Sequence, residues 1–406
     1  MKKIKKPELL APAGDWKMLV TAVNSGADAV YLGVEKLNMR AKAVNFQLDE
    51  LPEIAAYCNE NNVDTHLTLN TIVYEDELKD LEIIISAAKN AGVDMIICWD
   101  MSVIQKCNEQ GMPFCISTQA SISNSAAANY YKKLGAKRIV LARECTLENI
   151  IEIKKSTDIE IETFIHGAMC IAVSGRCLLS HHMFGQSANR GECIQPCRRE
   201  FEIRDKDEDK SLILGDDYIL SPNDLSTIDF IDKLIDAGID AFKIEGRKRS
   251  PEYIAKVVST YRNAIDLHVQ GKLTEEIKAE MNNKLSKVYN RGFSTGFYFG
   301  TPGEESYAEK YGSQATSRKV YAGKVLNYFS NKKIAHIRLI AASITKNDDL
   351  YIIGKSTGVV EVKLSSMMKD ESFVEGAGKG DEITFTCNEK IRSNDQVYKI
   401  IQINET

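Results

Sequence analysis

Several features are missing from this sequence of 406 residues. It contains no run of 18 or more apolar residues, so we expect no membrane-spanning helix. The basic N-terminus, MKKIKK, resembles the start of a signal peptide, but the apolar stretch behind it is too short for a signal core. We therefore expect a cytoplasmic protein. No glycine-rich dinucleotide fingerprint follows the first predicted strand, which argues against an open, doubly wound sheet.

Composition and charge fit a globular protein with one large and one small domain. Hydrophobic residues make up 44% of the chain and charged residues 27%. The net charge of −5 argues against a surface that is basic throughout, although a local basic patch is compatible with it. Because we expect no export, the ten cysteines indicate thiols or metal ligands rather than disulfides.

Short apolar segments alternate with stretches of helical periodicity over residues 1–270, and eight of these segments are predicted strands. They are residues 8–13, 28–33, 64–70, 94–99, 114–118, 138–143, 160–166 and 240–245. Glycines placed to cap helices precede several of them, in SGADAV, AGVDMI, LGAKRI and AGIDAF. Eight repeated β–α units with short connections predict an α/β fold, a closed (β/α)8 TIM-like barrel over residues 1–312.

Polar side chains follow many of the predicted strands. In this barrel fold the carboxyl ends of the strands form the active face. The residues at these ends include Asn70, Asp100, Gln119, Arg143, His166, Glu245 and Arg247. We therefore expect the functional site at this end of the barrel.

One connection is much longer than the others. After the seventh predicted strand the chain runs from about residue 167 to residue 226 before the next helix, and so long a connection is usually functional. It carries four cysteines with the spacing C-x6-C-x15-C-x3-C, namely Cys170, Cys177, Cys193 and Cys197. Residues 201–220 predict a hairpin whose charged turn, at 204–210, is expected to lie in solvent.

The composition changes near residue 318. Short strand-like segments with turn residues between them fill residues 318–406 and predict a small all-β domain, a barrel of the kind appended to proteins of the translation machinery.

The four clustered cysteines predict one metal site. Four thiolates hold either zinc or a 4Fe–4S cluster. Zinc sites favour paired C-x-x-C motifs, which this segment lacks, so iron–sulfur is the favoured assignment, zinc the next and unliganded thiols the third. The other six cysteines fit small buried apolar residues. With four thiolates available, His166 is a candidate for substrate contact or proton transfer rather than a ligand.

Several motifs resemble those of the peptidase U32 family, also called collagenase-like. The segment ETFIHGAMCIAVSGRCLLS is similar to the family signature, and PELLAPAGDWKML, AVYLG, SPNDL, KIEGR and NRGFSTGF also match. The resemblance covers nearly the whole chain. It implies a set of oxygen-independent hydroxylases whose branches act on the wobble uridine of tRNA with prephenate as hydroxyl donor, on a cytidine of ribosomal RNA, or on a quinone precursor.

The resemblance also implies ligands and a substrate. Members of the quinone branch bind 4Fe–4S clusters through four cysteines, which fall here on Cys170, Cys177, Cys193 and Cys197. The run GQSANRGECIQPCRR and the single C-terminal domain most resemble the branch that forms 5-hydroxyuridine in tRNA. The expected partners are therefore tRNA and the small-molecule donor prephenate.

Arginines are the expected contacts for a dicarboxylate donor, because guanidinium groups bind carboxylates in pairs of hydrogen bonds. The candidates are Arg143, Arg176, Arg190 and Arg247. RNA contact is expected from basic residues at 243–249, from Arg198 and Arg199, or from the β domain.

Two other functions stay open at this point. A peptidase is one, with His166 and Cys170 as a conceivable nucleophilic pair, although we recognise no serine nucleophile elbow and no H-E-x-x-H motif. A thiolate bound to a cluster is not free to attack a peptide. The other is a non-catalytic protein with a structural metal site, which docks a protein partner or a second copy of itself.

Overall fold

The computed structural model describes residues 5–41, 44–199, 202–204, 207, 211–213, 220–308, 310 and 312–403. Its first twelve strands are β1 Glu8–Pro12, β2 Ala29–Leu32, β3 Asp64–Leu69, β4 Met95–Cys98, β5 Phe114–Ile116, β6 Arg138–Val140, β7 Glu160–Gly167, β8 Glu202–Arg204, β9 Ser211–Ile213, β10 Asp224–Ser226, β11 Ala241–Ile244 and β12 Phe293–Ser294. The helices are α1 Trp16–Asn24, α2 Leu51–Glu60, α3 Leu78–Ala91, α4 Met101–Gln110, α5 Ser125–Lys133, α6 Leu147–Lys155, α7 Leu179–Phe184, α8 Ile231–Asp236, α9 Pro251–Val269 and α10 Glu275–Ser286.

Eight of these strands form a closed parallel barrel. Strands β1 to β7 pair in chain order, and β11 pairs with both β7 and β1, which closes the ring. All eight predicted strands are present, each within a few residues of its predicted bounds. The predicted (β/α)8 barrel is confirmed.

Glycines end four of the helices as predicted. Gly26, Gly92, Gly135 and Gly238 all have positive φ, between 75° and 97°. At Gly92 the backbone N–H donates to the carbonyls of Ala88 and Lys89, which satisfies the end of α3 before β4 begins.

The barrel has its own apolar core. Strand residues such as Leu10, Leu67 and Ile97 are fully or almost fully buried, and the helices cover them with residues such as Ile54 and Ile85. Within the part of the chain that the structure describes, no helix is both long enough and apolar enough to cross a membrane.

The long connection after β7 holds short elements. Strands β8 and β9 pair antiparallel, as predicted for the hairpin, and of its charged turn only residue 207 and the strand ends fall within the described residues. The chain returns through β10, which pairs antiparallel with the end of β7 and parallel with β12.

The C-terminal domain is antiparallel and all-β, as predicted. Its strands are β13 Ser317–Phe329, β14 Ile334–Leu339, β15 Ile344–Thr345, β16 Asp349–Gly354, β17 Gly358–Lys363, β18 Met367–Lys369, β19 Ser372–Val374, β20 Gly376–Ala377, β21 Glu382–Thr386 and β22 Gln396–Gln402. The main sheet has the order β17-β16-β22-β13-β14-β21-β18-β19. A separate apolar cluster, which includes Val325, Ile337 and Ile352, fills its core.

The β domain packs against the α1 and α9 side of the barrel. Gly358, with φ of +70°, lies so close to α1 that an added Cβ would stand 3.1 Å from the backbone nitrogen of Thr21. The Asn24 side chain donates to the Thr357 carbonyl, and Lys256 of α9 pairs with Glu361. The close approach therefore requires glycine at 358.

Substitution of this glycine tests the packing. We expect Gly358→Ala to lower the free energy of unfolding by about 1–2 kcal/mol for the left-handed backbone and by about 1–3 kcal/mol more for the contact with α1. Urea titration followed by tryptophan fluorescence measures this, since Trp16 lies at the start of α1 and its ring faces Lys355.

Gly271→Ala is the matched control. Gly271 has φ of +68°, but nothing lies within 4 Å of its added Cβ, so only the backbone cost applies. Equal losses in the two variants would contradict a close contact between Gly358 and α1.

Candidate functional site

A cavity of about 160 Å³ opens at the carboxyl ends of the barrel strands. All four clustered cysteines line it, together with two of the four predicted arginines, Arg143 and Arg247. Further lining residues are Tyr31, Arg40, Thr68, Asn70, Gln119, Phe164, Arg198, Lys243 and Glu245. The predicted cysteine segment and the predicted active face of the barrel therefore enclose one space.

The four thiols differ from the other six cysteines in their surroundings. Cys170 is exposed and Cys177, Cys193 and Cys197 are half-buried, whereas the six scattered cysteines are buried, as predicted. Burial raises the pKa of Cys177 and of Cys197, and the negative charges of the neighbouring thiolates raise it further. Mutual repulsion of this kind is relieved when a cation binds the group.

The four clustered cysteines supply the sulfur ligands that a four-thiolate metal centre needs. Within the described residues, however, no three His, Cys, Asp or Glu side chains are arranged to hold a single metal ion. A 4Fe–4S cluster is larger than one ion and takes one thiolate at each iron. The iron–sulfur assignment and the zinc alternative both stay predictions.

Glycines let the cysteine segment pack against the barrel. An added Cβ on Gly167 would stand 2.6 Å from the Glu245 carbonyl oxygen, and one on Gly191 would overlap the backbone of Asn38 and Ala41. Both have positive φ, of 104° and 84°. The segment is therefore held by backbone contact close to the strand ends.

Glu245 lies directly after β11, and its carboxylate interacts with the arginines of the cavity. It accepts a hydrogen bond from the Arg40 guanidinium at 2.8 Å. Burial opposes its ionisation, but the charges of Arg40, Arg143 and Arg247 outweigh burial and lower the pKa of Glu245 to about 2. The carboxylate is therefore ionised at any physiological pH.

Arg143 and Arg247 lie at the cavity without a carboxylate partner among the described residues. Arg143 donates to the Ala168 carbonyl at 2.7 Å and stacks on Phe164, and its Nε is buried with no hydrogen-bond partner. Arg247 donates to the Thr68 hydroxyl at 3.3 Å. Burial lowers the pKa of Arg247 to about 10, which leaves it charged at neutral pH.

The other two predicted arginines do not line the cavity. Arg176 donates to the Gln119 carbonyl at 2.9 Å and lies over Trp99. Arg190 pairs with Glu77 and stacks on Tyr74. These two contacts tie the cysteine segment to the neighbouring strand-end loops.

His166 also lies outside the cavity. It is 2% exposed, its Nδ1 stands 3.3 Å from the Tyr261 hydroxyl, and it packs against Tyr253 and Phe293. Burial lowers its pKa to about 3. Its predicted role in substrate contact or proton transfer stays a prediction, and a group with so low a pKa is uncharged at neutral pH.

Residues of two matched motifs meet, together with Arg249, which lies two residues after KIEGR. Asp224 of SPNDL is 1% exposed and forms ion pairs with Arg291 of NRGFSTGF at 3.2 Å and with Arg249, next to KIEGR, at 3.5 Å. Arg249 also stacks on Tyr289 at 3.8 Å. SPNDL also contacts the cysteine segment, because Arg198 donates to the Ser221 hydroxyl and to the Pro222 carbonyl.

Arg40 and Tyr31 are among the cavity residues that are absent from the sequence-based candidates. Arg40 lies in the connection between β2 and α2, and Tyr31 lies in β2, where its hydroxyl donates to the Ile244 carbonyl at 2.9 Å. The connection from residue 33 to residue 47 is long, and this length was the feature of the sequence that could have marked Arg40 as a candidate. Tyr31 stands within the quoted motif AVYLG and reads as an ordinary strand residue.

The letters G-x-S-x-G occur at residues 292–296, contrary to the expectation from the sequence. Ser294 lies in the two-residue strand β12 and a turn follows it, whereas a nucleophile elbow leads from a strand into a helix. The letters of the motif are therefore present, but residues 292–296 do not form the strand–turn–helix of a nucleophile elbow.

The fold and the site define a class: barrel proteins with a four-cysteine segment across the mouth. The chain belongs to peptidase family U32, whose family model matches residues 14–308.

Relatives in this family carry different names. A protein named collagenase from Porphyromonas gingivalis is 39% identical over 97% of this chain and 97% of its own length. The tRNA hydroxylation protein P1 of Bacillus subtilis is 40% identical over 80% of this chain and 78% of its own. The 23S rRNA 5-hydroxycytidine C2501 synthase of Escherichia coli is 36% identical over 65% of this chain and 40% of its own.

The two buried histidines predict a pH dependence of stability. Burial lowers the pKa of His66 and of His166 to about 3, against about 6.5 in an unfolded chain. Below pH 6.5 the unfolded state binds protons that the native state does not, so stability is lost as the pH falls. We expect His166→Gln to reduce the slope of unfolding free energy between pH 6 and pH 5 by about 1 kcal/mol per pH unit.

Urea unfolding at each pH measures this slope, with Tyr261→Phe as the control. That variant removes the hydroxyl beside His166 and keeps the imidazole, so its stability is expected to drop equally at both pH values. A His166→Gln slope equal to that of the wild type would mean that His166 is protonated in the folded protein.

Proposed function

We propose that this protein is an oxygen-independent RNA hydroxylase that forms 5-hydroxyuridine at the wobble position of tRNA with prephenate as the hydroxyl donor. The observation that carries the proposal is the cavity, in which four thiols and two unpaired arginines meet at the active end of the barrel. The relatives named for tRNA and rRNA hydroxylation support the choice of an RNA substrate.

The charges of the cavity suit a dicarboxylate. Lys243 is paired with Glu162 at 2.9 Å and Arg40 with Glu245 at 2.8 Å. Arg143, Arg198 and Arg247 line the same cavity and form no ion pair with a carboxylate among the described residues, so cationic groups remain for an anionic ligand. Prephenate carries two carboxylates, and guanidinium groups bind such anions strongly in a buried site.

Cys170, Cys177, Cys193 and Cys197 would hold the 4Fe–4S cluster. When bound, such a cluster supplies electron transfer or structural support. The protein's own contribution is to orient the donor through Arg143 and Arg247 and to keep Glu245 ionised beside them. Gln195 adds a backbone N–H that donates to the Cys193 sulfur at 3.4 Å.

The name collagenase makes peptidase activity the second candidate. Within the described residues no histidine lines the cavity, and His166 is hydrogen-bonded to Tyr261 rather than to a cysteine. A thiol–imidazole pair, which a cysteine nucleophile needs, is therefore not formed here. We favour the hydroxylase on this ground.

Anaerobic purification tests the cluster. We expect a brown protein with broad visible absorption, and loss of most of this absorption and of the bound iron in Cys170→Ser, because one of four ligands is removed. Cys145→Ser is the control, since Cys145 is buried outside the segment. A colourless protein that contains stoichiometric zinc would contradict the iron–sulfur proposal.

Nucleoside analysis of tRNA from a deletion strain tests the donor site and the substrate together. We expect 5-hydroxyuridine derivatives to disappear in the deletion strain and to return with the wild-type gene. Arg143→Gln and Arg247→Gln are each expected to weaken donor binding about 10- to 100-fold, the equivalent of one charged hydrogen-bonding group.

Lys155→Gln serves as the control, because Lys155 is exposed on α6 and pairs with Glu152 away from the cavity. Wild-type levels of the modified nucleoside in both Arg143→Gln and Arg247→Gln, at limiting donor, would contradict the donor site. An unchanged level of these nucleosides in the deletion strain would contradict the tRNA substrate.

A further inference from the structure

A second cavity, of about 280 Å³, lies on the other side of the cysteine segment. Its cationic lining residues are Arg198, Arg199, Arg291 and Lys310, and Tyr289 adds an aromatic ring. No carboxylate is among its lining residues in the described part of the chain. Gln195 and Arg198 line both cavities, so residues 195–198 form a shared wall.

Among the described residues, carboxylates neutralise the positive charge of this cavity only in part. Arg291 shares the single carboxylate of Asp224 with Arg249. Arg198 donates to neutral acceptors, the Ser221 hydroxyl at 2.8 Å and the Pro222 carbonyl at 2.7 Å, and its buried Nε has no partner. Four cations around a space of this size favour an anion inside it.

The cations are also held in place before any ligand arrives. Arg198 reaches the Met169 carbonyl as well as Pro222, and Arg291 is 6% exposed. A guanidinium that is already ordered loses less conformational entropy on binding an anion than a free surface side chain does. Arg199 and Lys310 are exposed and complete the rim.

The surroundings favour a nucleic acid over a small free anion. Arg199 stacks on Phe184 at 4.5 Å, and Phe184 is 38% exposed. Leu178, at 53%, is exposed in the same segment. Aromatic and apolar surface next to a cationic groove suits single-stranded RNA, whose bases stack while its phosphates pair with arginine and lysine.

We propose that the second cavity binds a backbone phosphate of the RNA, next to the nucleotide whose base enters the cysteine cavity. This inference rests on the proposed RNA-modifying function. The shared wall at residues 195–198 separates the phosphate from the base, so the cavity sets where along the strand the reactive base lies.

The double variant Arg199→Gln/Lys310→Gln tests the inference in the full-length protein. Both residues are exposed, so the fold is expected to persist. Fluorescence anisotropy with labelled tRNA is expected to show a Kd about tenfold higher, and a plot of log Kd against log salt whose slope is reduced by roughly one. The control is Lys133→Gln/Lys137→Gln, which removes the same charge at the opposite end of the barrel, where β6 begins.

The outcomes separate the two proposals. If the wild type itself fails to bind tRNA, the proposed function fails. If the wild type binds and the two double variants have the same Kd and salt slope as each other, the phosphate site alone is wrong. Stabilisation of the wild type by inorganic phosphate in a thermal shift assay, with unaltered RNA affinity in Arg199→Gln/Lys310→Gln, would also overturn it and indicate a site for small anions.

Discussion

The buried contact between Glu245 and Arg40 organises the mouth of the barrel. Glu245 follows the last barrel strand, and its backbone N–H donates to the His166 carbonyl at 2.9 Å, so its position is fixed by strand pairing. Arg40 comes from the long connection after β2 and is brought there by the carboxylate. Without this anion, Arg40, Arg143 and Arg247 would crowd one cavity with uncompensated charge, at a cost of several kcal/mol. The arrangement of the remaining charges depends on this one carboxylate.

The cationic side chains that Glu245 does not pair with directly determine which ligands suit the cavity. A cavity in which every cation had a partner would have no reason to take an anion. Here one glutamate serves Arg40 directly and Arg143 and Arg247 only through space, and Lys243 is satisfied by Glu162. The Nε of Arg143 is buried and has no hydrogen-bond partner among the described residues, so this atom also lacks an acceptor. The cavity therefore offers guanidinium groups that have no ion-pair partner among the described residues.

Sequence patterns sufficed for the barrel because each of its strands carries a local signal. Apolar runs, capping glycines and polar residues at the strand ends are all read within a few residues, and all eight strands were predicted. The short strands β15, β18, β19 and β20 of the C-terminal domain carry no such signal, since two or three residues show no periodicity. Arg143 and Arg247 were identified from their position at strand ends. Arg176 and Arg190 looked equivalent in sequence, and only tertiary contacts with Gln119 and Glu77 separate them from the cavity.

Placing the cysteine segment between two cavities has a consequence for how a large substrate is recognised. Backbone contact at Gly167 and Gly191 and the side chains of Arg176 and Arg190 fix the segment on the barrel. Residues 195–198 are then a thin partition with thiols and unpaired arginines on one side and a cationic cavity on the other. Chemistry on a nucleobase requires that the base leave its stack while its backbone stays held. For the proposed RNA substrate, such a partition would serve both needs from one short stretch of chain, because Cys197 lines the first cavity and Arg198 lines both.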